Sequence, residues 1–233
     1  MRSSNPTNLS NFNYKEWSPE LDNITLAEYI WIDGSGKNLR SKTKVYHEKI
    51  LKLDQLDWWT FDGSSTMQAT TSQSEIYLKP VFFCKDPIRR KNSILVLCEC
   101  YLSDLKTPAR FNFRYICEKI MNEAKDQRPW FGMEQEYFLF VRTGTTHEWP
   151  LGWPFDGFPY PQGRYYCSIG DNNAFGRTVS ESHLRCCLDA GLKIAGINGE
   201  VAPGQWEYQV GIAEGMECGD HHWMSRYILM RYL

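Results

Sequence analysis

Leu26-Ala27-Glu28-Tyr29-Ile30-Trp31-Ile32, closed by Asp33-Gly34-Ser35-Gly36 and followed by a second run over residues 39–45, decides how the first half of this chain is read. The first run is β-branched and aromatic, and the four-residue cluster supplies the small, turn-forming side chains that a reversal needs. The second run returns to strand formers, so the pattern predicts a hairpin. Further along, residues 76–83 and 94–101 predict strands separated by a turn-like stretch around Asp86-Pro87. The first hundred residues therefore read mainly as sheet. Thr107-Pro108 marks a break, after which Phe113, Ile116, Ile120 and Ala124 recur at helical spacing. Residues 131–141 predict a strand. Residues 149–166, dense in Pro, Gly and aromatics, predict an ordered loop. A helix is expected over 180–190 with Gly191 as its cap, then strands over 192–197 and 206–210, then a helix from 220 to 233 without a stop signal. The fold class is α+β.

Twenty-six basic against twenty-eight acidic residues leave a net charge of -2, which favours neither nucleic acid nor an anionic membrane. No apolar run approaches the ~20 residues that span a bilayer, so a cytoplasmic protein with small-molecule ligands is expected. Residues 1–15 are Ser/Asn-rich with Arg2 and no acid, a disordered tail with a faint likeness to a transit peptide. None of the eight cysteines forms a C-x-x-C, which predicts reduced and mostly buried thiols rather than a zinc or redox site. His221-His222 reads as a polar helix start, because neighbours on a helix diverge by about 100° and do not readily share an ion.

Acidic residues carry the chemistry. In Glu134-Gln135-Glu136 a strand places both carboxylates on one face. An isolated E-x-E is first of all a solvated edge strand, yet Pro129-Trp130-Phe131-Gly132 before it and Phe138 and Phe140 after it predict buried surroundings. Buried acids require a partner, and carboxylate oxygens suit Mg²⁺ or Mn²⁺. Glu200 and Glu207 form a second pair, with Gln209 on the same face as Glu207. Four carboxylates could hold two cations and so neutralise phosphates. No G-x-x-x-x-G-K-[ST] occurs, so a nucleotide would rely on metals and side chains. On these residues alone a metal-dependent hydrolase is also open. Phe61-Asp62-Gly63-Ser64-Ser65-Thr66 is by itself a turn signal. Trp58 and Trp59 read as core aromatics or as a packing surface.

Taken together, LAEYIWIDGSG, LRSKTK, FDGSST, PWFGMEQEY, GWPFDGFPYPQG, YYCSIG, INGEVAPGQWEYQVG and GDHHWMSRYIL resemble the eukaryotic class of glutamine synthetases, in that family's order, from about Leu26 to Leu233. The resemblance implies a tail over residues 1–23, a β-grasp domain over 24–106 and the start of a catalytic domain over 107–233. It implies glutamate–ammonia ligation: ATP phosphorylates glutamate, and ammonia displaces phosphate from the γ-glutamyl phosphate. By motif, Glu134 would bind one metal and Glu136, Glu200 and Glu207 the other. Trp130, Glu134 and the segment carrying Glu207 and Gln209 would border the nucleotide, and Asp62 would bind ammonium and help deprotonate it in the active site of a neighbouring subunit of a homo-oligomeric ring.

The family pattern continues past Leu233 with another metal-binding histidine and glutamate, a flap, and arginines for glutamate and phosphate. The expectation is a catalytic domain truncated at its C-terminus, with impaired catalysis by this chain alone. Ala202, Ile212 and Arg164 also depart from the family's usual Met, Pro and Pro. The alternative function is a catalytically silent relative that co-assembles with, or regulates, full-length enzyme.

Overall fold

The computed structural model describes residues 22–143, 147–155 and 157–232. The expected N-terminal tail lies, apart from residues 22 and 23, outside the described residues. Strands β1 (Thr25–Ile32) and β2 (Leu39–Tyr46) form the hairpin in continuous antiparallel register from Thr25↔Tyr46 to Ile32↔Leu39. Its turn is fixed from within. The fully buried Asp33 carboxylate accepts from the Ser35 N–H at 2.9 Å and from Arg40 Nε at 3.1 Å. Gly34 donates its N–H to Thr66 O at 2.9 Å, and a Cβ there would stand 2.1 Å from Met67 O, so the turn docks against the 63–67 segment only as glycine.

Three more strands complete the first sheet: β3 (Trp59–Asp62), β4 (Glu75–Lys85) and β5 (Ile94–Tyr101), in the order β2-β1-β5-β4-β3. β1 and β5 pair in parallel and the other neighbours antiparallel. Every residue of β5 is buried, as expected of a strand covered on both faces. Ile94, Val96, Cys98 and Cys100 join Tyr29, Trp31, Ile76 and Leu78 in one core, while Leu95 and Leu97 join Ile30 in another, against helices. β3 was not foreseen: only four residues long, it is masked in sequence by the Asp-Gly turn signal at its end. Trp59 packs on the first core, with its ring 5.5 Å from that of Tyr29.

The rest of the chain supplies α1 (Phe113–Glu123), a second sheet of β6 (Trp130–Phe138), β9 (Ile194–Gly199) and β10 (Gln205–Glu214), a ribbon of β7 (Phe140–Thr143) and β8 (His147–Pro150), and helices α2 (Arg177–Asp189) and α3 (Met216–Tyr232). The second sheet runs β6-β10-β9, antiparallel throughout. The single strand expected over 131–141 breaks at Leu139, whose buried side chain and N–H bond to Gly204 O turn the chain into the ribbon. β8 lies partly within the expected loop.

Helix α3 joins the two sheets. Met224, Tyr227 and Ile228 pack on Ile30, Leu95 and Leu97, while Cys218 and Leu229 pack on Tyr208 and Val210. Polar links reinforce the junction: Arg114 makes a two-armed bond to Asp220 at 2.8 Å and reaches Glu99 at 2.8 Å, Tyr227 donates to Glu28 at 3.0 Å, and Arg231 pairs with Asp86 at 2.9 Å. Because α3 starts at Met216, His221 and His222 fall inside it and are not a polar start. His221 is buried and its Nδ1 accepts the Lys193 N–H at 2.9 Å, tying α3 to the entry of β9. All eight cysteines are free thiols and five are buried.

Candidate active site

The centre of β10 explains how the acidic face arises. Trp206, Tyr208 and Val210 are all but fully buried, and alternation along a strand then turns Glu207 and Gln209 to the opposite face. Pairing sets Glu207 opposite Glu136 on β6 and Asn198 on β9, and Gln209 opposite Glu134 and Gly196. A Cβ on Gly196 would lie 2.8 Å from Gln209 Oε1, so the missing side chain makes room for the glutamine. Glu200 follows β9. Its N–H donates to Gln205 O at 2.9 Å, and its carboxylate accepts from Asn198 Nδ2 at 3.1 Å.

Amides link these acids. Gln209 Nε2 donates to Asn198 Oδ1 at 2.7 Å and to Glu207 Oε1, and Gln205 Nε2 donates to Glu136 Oε2 at 2.7 Å. Among the described residues no Lys, Arg or His forms an ion pair with Glu134, Glu136, Glu200 or Glu207. Glu207 is 8% exposed. Burial, followed by the charges of Glu134, Glu200 and Glu136, holds its carboxyl above the usual range, with the bond from Gln209 opposing. Negative charge is thus concentrated here without a counter-ion among the described residues.

Two expectations change. Glu134 and Glu136 are exposed, not buried: β6 is a sheet edge, and among the described residues the cover that buries Glu207 does not extend over them. The aromatic block does not bury them: Phe131, Phe138 and Phe140 are exposed as well. Nor do the acids already form a cage, since among the described residues no three His, Cys, Asp or Glu side chains stand close enough to hold an ion. Their donor chemistry, all carboxylate oxygen with no positive partner, fits an oxygen-preferring divalent cation.

Trp130 begins β6 on the far side of an irregularity in which Gly211 and Ile212 are inserted opposite Gly132, and it is 65% exposed. A Cβ on Gly211, at φ +143°, would come within 3.0 Å of Gly132 Cα. Asp62 lies on the other sheet, at the end of edge strand β3. It accepts from the Ser64 N–H at 2.9 Å and Oγ at 2.6 Å, and these bonds hold its carboxyl below the usual range. No described hydrogen bond or ion pair joins it to the acidic face.

Asn198, Gln205 and Tyr166 also belong to this site, though none of them is a candidate on the sequence alone. Asn198 and Gln205 each sit two residues before a flagged glutamate, so the period of two could have found them. Tyr166 reaches the site through the bond of Cys167 N–H to Gly199 O at 2.9 Å. Its hydroxyl is raised by the Cys167 thiol and further by Glu200 and Glu207. That proximity comes from a loop, and no local pattern signals it.

The family described as "Glutamine synthetase, beta-Grasp domain" matches residues 23–103. The chain is 53% identical over 206 residues to a glutamine synthetase of Tuber borchii, an alignment covering 88% of this chain and 56% of that protein. It is 49% identical over 205 residues to one of Macaca fascicularis, covering 88% and 54%. The chain therefore spans little more than half the length of the curated relatives it matches. In fold it resembles a Plasmodium falciparum glutamine synthetase solved by cryo-electron microscopy, with a TM-score of 0.66 at 14% identity, covering 94% of this chain and 47% of that one.

Proposed function

Over the part it spans, this chain belongs to the glutamine synthetase family, and on that premise we propose that it takes part in the ATP-dependent ligation of ammonia to glutamate. The observation that carries this reading is the acidic face itself, where Glu134, Glu136, Glu207 and Gln209 share one side of two paired strands, with Glu200 tethered through Asn198 and no basic partner among the described residues. In this proposal residues 24–106 form the β-grasp domain and 107–233 a part of the catalytic domain.

Glu134 would hold one divalent ion, Mg²⁺ or Mn²⁺, and Glu136, Glu200 and Glu207 a second. Bound there, the ions would supply positive charge against the ATP phosphates and the glutamate carboxylate. Gln209, itself bonded to Asn198, fixes the buried carboxylate of Glu207, and Gln205 holds that of Glu136, while the exposed Glu134 remains able to turn toward them. Trp130 and the segment with Glu207 and Gln209 border the nucleotide. Asp62, exposed on an edge strand away from this face, would serve a neighbouring subunit of a homo-oligomeric ring, binding ammonium and drawing off the proton that keeps it from attacking the γ-glutamyl phosphate. The setting proposed is cytoplasmic, and among the described residues no helix is long and apolar enough to cross a membrane.

The exposed apolar side chains on the acids' side of β6, Trp130 and Phe138, with Ile212 in the adjoining irregularity, favour a second reading, in which this face is covered by co-assembly with a full-length relative. Glutamate- and ammonium-dependent ADP release, measured for the chain and for Glu207→Ala, separates the two. Turnover lost in the variant supports the ligase. Absence of turnover, with co-elution alongside a full-length glutamine synthetase, supports the second reading.

A further inference from the structure

Away from the acidic face, a cavity of about 220 Å³ lies where the first sheet meets α1 and α3. Its walls are apolar and aromatic: Leu97 from β5, Phe111 and Phe113 at the start of α1, and Trp223 from α3. The space exceeds the roughly 150 Å³ that suffices for benzene in an engineered apolar cavity. Gly219 of α3 also faces it, and a Cβ built there meets nothing within 4 Å, so the helix leaves the volume open. Phe111 is held at φ +67°, a left-handed backbone that a bulky side chain rarely adopts, and its ring stands edge-on to Phe113 with centroids 5.8 Å apart.

The side-chain amides and the guanidinium on the wall already have partners. Gln68 accepts from Thr66 Oγ1 at 2.8 Å and donates to Ile32 O at 3.3 Å, Asn112 Nδ2 donates to Cys100 O at 3.0 Å, and Arg114 is taken up by Asp220 and Glu99. Burial raises the Cys98 thiol and pushes that of Cys100 up to about 12, so both stay uncharged. A ligand here gains contact with rings and aliphatic carbons and finds no unpaired charge. Cys117, an exposed thiol, also lines the cavity.

The geometry points to a binding site for a small, neutral aromatic molecule between the first sheet and helices α1 and α3, separate from the acidic face and independent of the reaction proposed for it. Such a ligand would bridge the two parts of the chain that Arg114 and α3 hold together.

The test uses indole as probe and Cys117 as reporter, reading the rate of maleimide labelling by mass spectrometry with exposed Cys167 as internal control. Indole at about four times its Kd should slow labelling of Cys117 roughly fivefold, the factor 1 + [L]/Kd, and leave Cys167 unchanged. Benzoate, similar in size but anionic, should protect far less. Gly219→Met fills the cavity and should abolish protection. Phe113→Ala, at a side chain already 62% exposed and so harmless to folding, should weaken it several-fold. Unchanged Cys117 labelling in millimolar indole, equal protection of Cys167, equal protection by benzoate, or full protection in either folded variant would each overturn the site.

Discussion

Replacing Glu207 by Gln should stabilise the chain without divalent metal and remove the stabilisation that metal confers. Glu207 stands directly opposite Glu136, and such cross-strand positions hold their Cβ atoms about 5 Å apart. Two charges at 5 Å repel by about 0.8 kcal/mol in water and about 3 kcal/mol at an effective dielectric constant of 20. Since Glu136 is exposed, the lower figure governs, in line with the ~0.2–1 kcal/mol of cross-strand pairs. Glutamine keeps a carbonyl oxygen to accept the Gln209 bond, so little else is lost. The expected gain is about 0.5–1 kcal/mol, or a Tm higher by about 1–4 °C.

The pH dependence has a definite sign. The Glu207 carboxyl is raised in the folded state, so its protonated form contributes stability at low pH that is lost as pH rises through the folded pKa. Wild type and variant should therefore converge in acid and separate toward neutrality. Added Mn²⁺ should reverse the order at pH 7: saturation to about 100 Kd stabilises the wild type by about 2.7 kcal/mol, and the variant keeps only a fraction of that. Differential scanning calorimetry in EDTA and in Mn²⁺ measures both. A variant less stable than wild type in EDTA at pH 7, or an equal Mn²⁺ shift in the two proteins, would refute the reasoning.

Arg114→Leu leaves Asp220 and Glu99 buried without their counter-charge and should cost about 3–5 kcal/mol, read as a fall in the urea midpoint. Burial works to raise the Glu28 carboxyl, but hydrogen bonds from Ser41, Thr43 and Arg89 together with the Arg89 charge hold it at about 2, so it contributes up to roughly 3 kcal/mol above the usual carboxylate range, lost as pH falls toward 2. Glu28→Gln should lower stability at pH 7 and flatten that acid limb in a series of melts from pH 2 to 6. Asp62→Asn keeps an acceptor for the Ser64 bonds and should leave the Tm unchanged, so any loss of ammonium-dependent turnover in it reports the charge alone.

Much of this architecture is legible one strand at a time. The alternation at Trp206, Glu207, Tyr208, Gln209 and Val210 already separates two faces, because successive side chains of a strand point opposite ways whatever lies around them. The hairpin of residues 25–46, the buried run at 94–101 and the helical spacing from Phe113 follow from equally local rules, and the ordered motifs identify the family. β3 escaped because four residues beside an Asp-Gly signal look like a turn.

What the chain could not reveal locally is who lies beside whom. Only the pairing of β10 with both β6 and β9 sets Glu207 between Glu136 and Asn198, and only the close of β9 brings Glu200 to the same face. The aromatics around Glu134 predicted burial, yet burial depends on whether another layer covers the face, and here β6 is an edge. His221 likewise became a buried acceptor because α3 begins at Met216 and crosses both sheets. Sequence periodicity fixes the direction of each side chain relative to its own backbone; exposure, charge environment and neighbours are properties of the assembled layers, set by contacts between residues far apart in the chain.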